Sequence, residues 1–477
     1  MPPWARGWRS QQSAYLMKRQ RAGGAGDAAG GSPQRPREAA EAAEAGGVAV
    51  LAQPPTAATF AAQHVQPSVP VLVRGALADW PAMQRWQDVR YFAESAPARL
   101  RDSQIGVAAA ADAVYSGDPK RQDSIMMKWS SFVELVDMWD RRGSGEGHFT
   151  HGLGLHFYLA QTPISSGGAE AGDAEPLLEH LRRDIATPPF AEGLPGFRLF
   201  QCNLWMGTSA SSSAVHFDSN HNLLCCIKGA KTVLLYPPDD TAHLAPEPVF
   251  TAAYHHAGMR TGSDAPRGGM RRAVVRSGEA LFIPEGWWHS VESSPATIAV
   301  NIWWEGLRAA VVDSECEGVA GVGVYLGRLC LQRQVQSTKE RWLREAAAED
   351  AASWPQESDA AAEWLRASTT TTEQALAFLR AAPLPLQVGA VGAVAELDAP
   401  RWRSLFGSID ALTAFSLTTA WESGALDEEE QKNFFSRIGT PLETGWERRL
   451  IELNESFGKR AMAHVLDIFY GFRAAAP

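Results

Sequence analysis

Between about residues 56 and 310, the sequence is a succession of short β-rich runs separated by glycine, proline, serine and aspartate. The clearest runs are VPVLVRG (69–75), LFQCNLWMG (199–207), TVLLYPP (232–238) and EALFIPEGWWHSV (279–291). Several short strands divided by turn signals are typical of an all-β sandwich or barrel. Apolar residues at helical spacing predict two flanking helices, over 90–95 and 130–139. We therefore predict one mainly β domain over residues 56–310.

The segment before this domain, residues 1–55, is dominated by alanine, glycine, arginine, glutamine and proline. It has little apolar surface to bury, so we predict a disordered low-complexity tail. The stretch before Asp27 is basic and free of acidic residues, which resembles an organelle transit peptide. A solvated tail without a targeting role is the interpretation that we prefer.

The segment after the β domain, residues 311–477, loses β character and becomes helical in pattern. Apolar spacing predicts a long helix from Val322 to about Ala348. A capping box is predicted at Thr370 and Glu373, before a helix that Pro383 ends. No repeat period is evident, so we predict a C-terminal all-α region built as a small bundle.

Composition restricts the class of protein and its compartment. The chain of 477 residues carries a formal net charge of −10, which argues against indiscriminate binding to nucleic acid or anionic membranes. No run of 18 apolar residues is present, so no membrane-spanning helix is expected. Five cysteines without a CxxC pair indicate a reducing setting, and we predict an intracellular protein of the cytoplasm or nucleus.

The segment AVHFDSNHNLLCCIKGAKTVLLYPP (214–238) carries the first candidate site residues, His216 and Asp218. Residues two apart on a strand point to the same face, so both side chains could reach one ion. His289 follows in GEALFIPEGWWHS (278–290), in a second strand-like run. Two imidazoles and one carboxylate on one side of an octahedral ion are typical of non-haem Fe(II) oxygenases. Zinc accepts the same donors, but the chain has no HExxH hydrolase motif.

Several motifs around these residues resemble one family. GEALFIPEGWWH fits the spacing G-x5-P-x-G-x2-H, NLWMG precedes HFD, N-x6-G-x-K runs into YPP, and VNIWW follows the second histidine. Together they are similar to the JmjC, or cupin-like, 2-oxoglutarate-dependent hydroxylases over residues 69–305. The resemblance implies a double-stranded β-helix, that is, a jelly-roll or cupin barrel.

The resemblance also implies roles for particular residues. His216, Asp218 and His289 would be the Fe(II) ligands, and Lys231 would bind the far carboxylate of 2-oxoglutarate. Further residues implied at the co-substrate or beside the iron are Tyr158, Ser213, Asn222 and Asn301. The implied cofactors are Fe(II), 2-oxoglutarate as co-substrate, and O2. We expect His255 and His256, in a large insertion between the ligand strands, to lie at the surface.

The activity implied by the resemblance is hydroxylation of a protein side chain, or demethylation of N-methyl-lysine by the same chemistry. Alternatives left open are a tRNA-base hydroxylase, a catalytically inactive interaction module, and a zinc cupin enzyme. The acidic charge favours a protein or a small molecule over RNA as the substrate. A homodimer through the C-terminal helices is expected by analogy with the family.

Overall fold

The protein is described by a computed structural model, which covers residues 47–110, 113–115, 123–142, 156–166, 176–251, 253–258, 269–306, 323–349, 354–421, 426 and 428–470. These residues divide into two compact units. The sheet unit comprises described residues within 14–247 and 255–326, and the helical unit comprises those within 248–254 and 327–477. The sheet unit thus continues past the boundary at 310 that the sequence predicts. Within the described residues, no helix is both long and apolar enough to cross a lipid bilayer.

Most strands of the sheet unit are short, as the spacing of turn residues predicts, and the longest is β6 with 11 residues. They are β1 (Ala49–Leu51), β2 (Val71–Val73), β3 (Gln104–Ala110), β4 (Val114–Tyr115), β5 (Asp123–Lys128), β6 (His156–Ser166), β7 (Leu199–Gly207), β8 (Ser211–Ser213), β9 (His216–Phe217), β10 (His221–Lys228), β11 (Ala230–Tyr236), β12 (Arg271–Arg276), β13 (Ala280–Ile283), β14 (Trp288–Ser293) and β15 (Ile298–Trp304).

The described strands form two mixed sheets. The large sheet has the order β1-β2-β13-β10-β15-β7-β6-β3-β5, and the small sheet has the order β12-β11-β14-β8-β4, with β9 paired to β14. Most neighbours are antiparallel, whereas β1–β2 and β4–β8 are parallel. The mainly β fold is as predicted, but these strands leave two open sheets instead of a closed barrel, because the large sheet continues through β6, β3 and β5 to an edge.

Apolar side chains on both faces of the large sheet explain why its central strands are almost fully buried. On one face, Leu224, Leu281 and Ala299 join Val233 and Val275 of the small sheet in one cluster, so the two sheets pack face to face. The other face packs against residues from the short helices. Strands covered on both faces are apolar at consecutive positions, as in the run NLLCCI of β10.

Short helices flank the sheets: α1 (Ala57–Phe60), α2 (Ala82–Arg85), α3 (Tyr91–Glu94), α4 (Ala98–Arg101), α5 (Trp129–Arg142) and α6 (Pro189–Glu192). The predicted helical segments 90–95 and 130–139 correspond to α3 and α5. One prediction is wrong at the start of the domain, since β1 lies within the tail expected to be disordered. Its residues pair in parallel with β2, which supplies the backbone partners that composition alone could not reveal. Residues 1–46 of that tail lie outside the described residues.

The described C-terminal residues are helical, as predicted: α7 (Gly323–Glu349), α8 (Ser358–Arg366), α9 (Thr372–Ala381), α10 (Leu384–Leu397), α11 (Ala399–Gly407), α12 (Ala411–Trp421), α13 (Glu428–Gly439) and α14 (Trp446–Tyr470). The capping box is one residue later than predicted. The Thr371 hydroxyl accepts from the backbone N–H of Gln374, and Oε1 of Gln374 accepts from the backbone N–H of Thr371. The Thr370 hydroxyl instead donates to the Trp364 carbonyl. The helix ends at Ala381, before Pro383, as expected.

Candidate metal and co-substrate site

The two histidines singled out in the sequence lie directly opposite each other on neighbouring strands. Strand β9 pairs antiparallel with β14 so that His216 faces His289, and their ring centroids are 4.4 Å apart. Asp218 follows β9 immediately, and its Oδ2 is 3.8 Å from Nε2 of His289. One ligand atom from each of the three residues lies within 4.8 Å of the other two. The structure therefore brings the three predicted ligands together.

Backbone carbonyls fix the orientation of both imidazoles. Nδ1 of His216 is 2.8 Å from the Ala214 carbonyl oxygen, and Nδ1 of His289 is 3.0 Å from that of Trp287. Because a carbonyl can only accept, each Nδ1 carries a proton, which leaves Nε2 as the nitrogen that can bind a metal. Burial lowers the pKa of His289 to about 4, with a further lowering by His216 and an opposing effect of Asp218. His289 is therefore neutral near pH 7, as a metal ligand must be.

Asn222 holds the third member of the cluster. Its Nδ2 donates to Oδ2 of Asp218 over 3.1 Å, and both side chains are buried. A carboxylate that accepts a hydrogen bond from outside the metal shell is fixed in direction. The sequence places Asn222 beside the iron only through the family resemblance, whereas the structure shows its contact with Asp218.

Lys231 is buried on the same sheet as His289. It lies on β11 directly opposite Ser293 of β14, and only 2% of the residue is exposed. Its Nζ donates to Oγ of Ser293 over 2.7 Å and to Oη of Tyr158 over 3.2 Å. Among the described residues, no carboxylate lies within ion-pair distance of this ammonium group. A buried cation held by neutral hydroxyls is suited to receive an anion.

Ser293 takes the position beside the lysine that the sequence prediction gives to Ser213. The Ser213 hydroxyl, on β8, accepts instead from the backbone N–H of Val291 over 2.9 Å. The register of β11 against β14 decides this, because Ser293 is the direct cross-strand neighbour of Lys231. Sequence reasoning missed Ser293 because it could not supply that register.

Tyr158 reaches the lysine because a glycine lies beneath its ring. Tyr158 pairs with Gly207 across β6 and β7, and a Cβ at residue 207 would lie 2.9 Å from Cδ2 of the tyrosine. The rings of Tyr115 and Trp205 pack around Tyr158, with centroids 5.7 and 6.1 Å away. The tyrosine is therefore fixed in place beside the ammonium group.

Asn301 faces the space between the sheets with two residues that sequence reasoning missed. Its Oδ1 accepts from Nδ2 of Asn203 over 3.1 Å and from Nε1 of Trp205 over 2.8 Å. Nδ2 of Asn301 and Oδ1 of Asn203 are buried without a hydrogen-bond partner among the described residues. The motif NLWMG contained the signal, since alternation places residues 203, 205 and 207 on one face.

The expectation that His255 and His256 lie at the surface is wrong. They are 3% and 4% exposed, and the His256 ring stacks on His216 with centroids 5.6 Å apart. The segment 255–257 pairs with the backbone at β9. Phe217 N–H donates to the His255 carbonyl, and Ala257 N–H donates to the Val215 carbonyl. Strand β9 is therefore bordered by backbone on both sides. The sequence between the ligand strands gave no indication of this pairing.

The same region of the chain matches a known family. Residues 56–309, more than half of the chain, match the family whose description is "Cupin-like domain". The chain belongs to the cupin-like domain family. The predicted family resemblance is thereby confirmed.

Curated relatives of this cupin-like protein include enzymes with lysine-directed names. "Lysine-specific demethylase JMJ31" of Arabidopsis thaliana is 31% identical over 271 residues, which cover 52% of this chain and 48% of that protein. "Bifunctional peptidase and (3S)-lysyl hydroxylase JMJD7" of Homo sapiens is 28% identical over 284 residues, which cover 54% of this chain and 84% of that protein. "HSPB1-associated protein 1 homolog" of Danio rerio is 35% identical over 133 residues, which cover 26% of this chain and 29% of that protein. The chain thus spans about half the length of the Arabidopsis relative.

The donor atoms of this cupin-like domain fit ferrous iron and a dicarboxylate. Two imidazole Nε2 atoms and one carboxylate are the ligand types found in non-haem Fe(II) oxygenases. The buried ammonium of Lys231 offers a charge partner to a far carboxylate. The unpaired amide atoms of Asn203 and Asn301 offer further polar contacts in the same interior.

Proposed function

We propose that the chain is an Fe(II)- and 2-oxoglutarate-dependent dioxygenase that hydroxylates a protein side chain. His216, Asp218 and His289 are the proposed iron ligands, and Lys231 is the proposed partner of the co-substrate. The observation that carries the proposal is the buried Lys231 ammonium, held by two hydroxyl groups, on the sheet that also bears both histidines.

The spacing between the lysine and the three ligands supports a small chelating dicarboxylate. His289 and Ser293 are four residues apart on β14 and face the same side of the sheet, a separation of about 13 Å along the strand. Lys231 lies opposite Ser293. The distance along the strand between Ser293 and His289 is therefore long enough to contain both the lysine side chain and a small dicarboxylate bound to it.

Each protein group has a separate task in the proposed reaction. Fe(II) with 2-oxoglutarate and O2 supplies the oxidant for C–H hydroxylation, with succinate and CO2 as the co-products. The Nδ1 hydrogen bonds of His216 and His289 orient both rings with Nε2 as the nitrogen available to a metal, and Asn222 orients Asp218. Tyr158 and Ser293 hold the Lys231 ammonium in place, and the packed sheets exclude water from these charged groups.

The names of the relatives support a protein substrate. Two of them are called a lysine-specific demethylase and a (3S)-lysyl hydroxylase, so lysine side chains are the substrate class to examine first. Demethylation follows when hydroxylation occurs on an N-methyl carbon, because the resulting hemiaminal releases formaldehyde. A tRNA-base hydroxylase and an inactive interaction module are the alternatives for the test to decide.

The test measures succinate formed from 2-oxoglutarate by the full chain with Fe(II) and ascorbate. We expect turnover by the natural protein, none by His216→Ala, and wild-type turnover by His243→Ala, a matched change at an exposed histidine. Circular dichroism should show that His216→Ala keeps the fold. Stoichiometric zinc in the purified protein, together with no 2-oxoglutarate turnover, would refute the proposal.

The substrate class is then read by mass spectrometry after incubation with cell extract. One oxygen atom added to a peptide supports hydroxylation, and loss of a methylene unit from a methylated lysine supports demethylation. An oxygen added only to tRNA would favour the tRNA alternative. Absence of 2-oxoglutarate turnover, together with no bound metal at the three ligands, would leave the inactive module.

A further inference from the structure

Tyr325 contacts both segments that carry the three candidate iron ligands. It lies in the first turn of α7, within the sheet unit and beyond residue 309, where the family match ends. Only 3% of the residue is exposed. Because Tyr325 lies outside the matched region, the family resemblance gives it no role.

The first contact is with the segment between His216 and Asp218. The Tyr325 ring packs edge-on against Phe217, with centroids 5.4 Å apart and an interplanar angle of 83°. Phe217 also packs against Trp288, the neighbour of His289, with centroids 4.9 Å apart. A change at Tyr325 therefore acts on the residue that joins two ligands.

The second contact is with the turn that precedes His289. The Tyr325 hydroxyl donates to Oε1 of Glu285 over 2.6 Å, and Glu285 is itself 3% exposed. The tyrosine ring lies against Gly286, where a Cβ would come within 2.9 Å of ring carbons. Gly286 has φ of +80°, a conformation that favours glycine.

The turn contacted by Tyr325 is already hydrogen-bonded to the ligand segment. Gly286 N–H donates to the Asp218 carbonyl over 3.0 Å, and Glu285 N–H donates to Nδ1 of His221 over 3.0 Å. Tyr325 thus completes a set of contacts that joins the Asp218 segment to the turn before His289. The geometry of these two segments determines how closely the three ligands approach one another.

We propose that Tyr325 is a positioning residue that, with Glu285, sets the geometry of the iron ligands. The inference rests on the proposed function, because it concerns the same metal site. Groups outside the metal shell that orient ligands affect metal affinity by about 10- to 100-fold when they are removed. A residue that served packing alone would affect unfolding without changing the bound metal.

The test compares Co(II) binding by full-length variants, using visible absorption of the bound ion and its dissociation constant. Tyr325→Phe keeps the ring and removes only the hydroxyl. We expect a roughly tenfold weaker Co(II) affinity and a changed absorption spectrum. Tyr91→Phe is the matched control, since the Tyr91 hydroxyl also donates over 2.6 Å to a buried carboxylate, that of Asp184, at another place in the sheet unit. We expect its Co(II) affinity and spectrum to be those of the natural protein.

A second variant shows whether the effect passes through Glu285. Glu285→Gln keeps an acceptor of similar shape, and we expect a smaller loss of Co(II) affinity. The double variant should bind Co(II) no more weakly than Tyr325→Phe alone, because both changes act on one hydrogen bond. Wild-type Co(II) affinity and spectrum in Tyr325→Phe would overturn the positioning role. Equal Co(II) affinity in the natural protein and His216→Ala would overturn the metal site itself, and with it the proposed function.

Discussion

Replacement of Lys231 by methionine should change protein stability and co-substrate affinity in opposite directions. Methionine is an unbranched side chain that can fill the buried space, but it carries no charge. The change removes two hydrogen bonds to hydroxyl groups, of 2.7 and 3.2 Å, and also removes the cost of burying an ammonium group. Since that desolvation cost is several kcal/mol, we expect the free energy of unfolding without ligand to rise by about 1–3 kcal/mol.

The affinity for 2-oxoglutarate should be lower in the same Lys231→Met variant. Loss of a buried charge partner costs about 3 kcal/mol, which is a roughly 150-fold weaker dissociation constant. At 100 times the wild-type dissociation constant, 2-oxoglutarate should stabilise the natural protein by about 2.7 kcal/mol. The same concentration should stabilise the Lys231→Met variant by only about 0.3 kcal/mol.

The assay is thermal unfolding with Mn(II) in place of iron, with and without 2-oxoglutarate, supported by calorimetric titration. Lys228→Met, which removes a 2.6 Å ion pair with Asp140, is the control and should keep wild-type affinity for 2-oxoglutarate. Metal affinity should be unchanged in Lys231→Met, because the lysine is not a ligand. Wild-type 2-oxoglutarate affinity in this variant would refute the reasoning, and so would a large loss of stability without ligand.

Two further predictions concern the lysine's neighbour and a buried histidine. Ser293→Ala should weaken 2-oxoglutarate binding about fivefold, because it removes one hydrogen bond to Lys231. Ser213→Ala removes a hydrogen bond to the Val291 backbone and should lower only the free energy of unfolding. Equal 2-oxoglutarate affinities of the two variants, measured by calorimetry, would contradict these roles. Burial lowers the pKa of His221 from 6.5 to about 4. Between these two pH values the unfolded chain binds a proton that the folded chain does not, so the free energy of unfolding falls as the pH drops from about 6.5 towards 4. In His221→Gln, urea unfolding at several pH values should show that this loss of unfolding free energy is smaller by on the order of 3 kcal/mol. An unchanged pH dependence in this variant would contradict the lowered pKa of His221.

The central β region and the three clustered residues could be predicted because they depend on local patterns. Strand length and alternation are properties of short segments, and the spacing G-x5-P-x-G-x2-H marks the turn before His289. The helices α7 and α9 were predictable for the same reason, since their apolar spacing and the stop at Pro383 are local. The one-residue error in the capping box arose because adjacent threonines offer equivalent caps in sequence.

Contacts that depend on pairing between distant strands could not be predicted. The partnership of Lys231 with Ser293 needs the register of β11 on β14, which no local pattern supplies. Burial of His256 needs the return of the chain to β9, and β1 forms only because β2 offers an edge. Tyr325 looked like one apolar position of a helix, and its contact with Glu285 joins residues 40 positions apart.

Strand β9, only two residues long, has hydrogen-bonded backbone on both sides, from β14 and from residues 255–257. An isolated two-residue strand would fray and let its side chains swing, whereas a strand enclosed in this way holds His216 against His289 at little entropic cost. Ion capture should then require only small rotations of side chains.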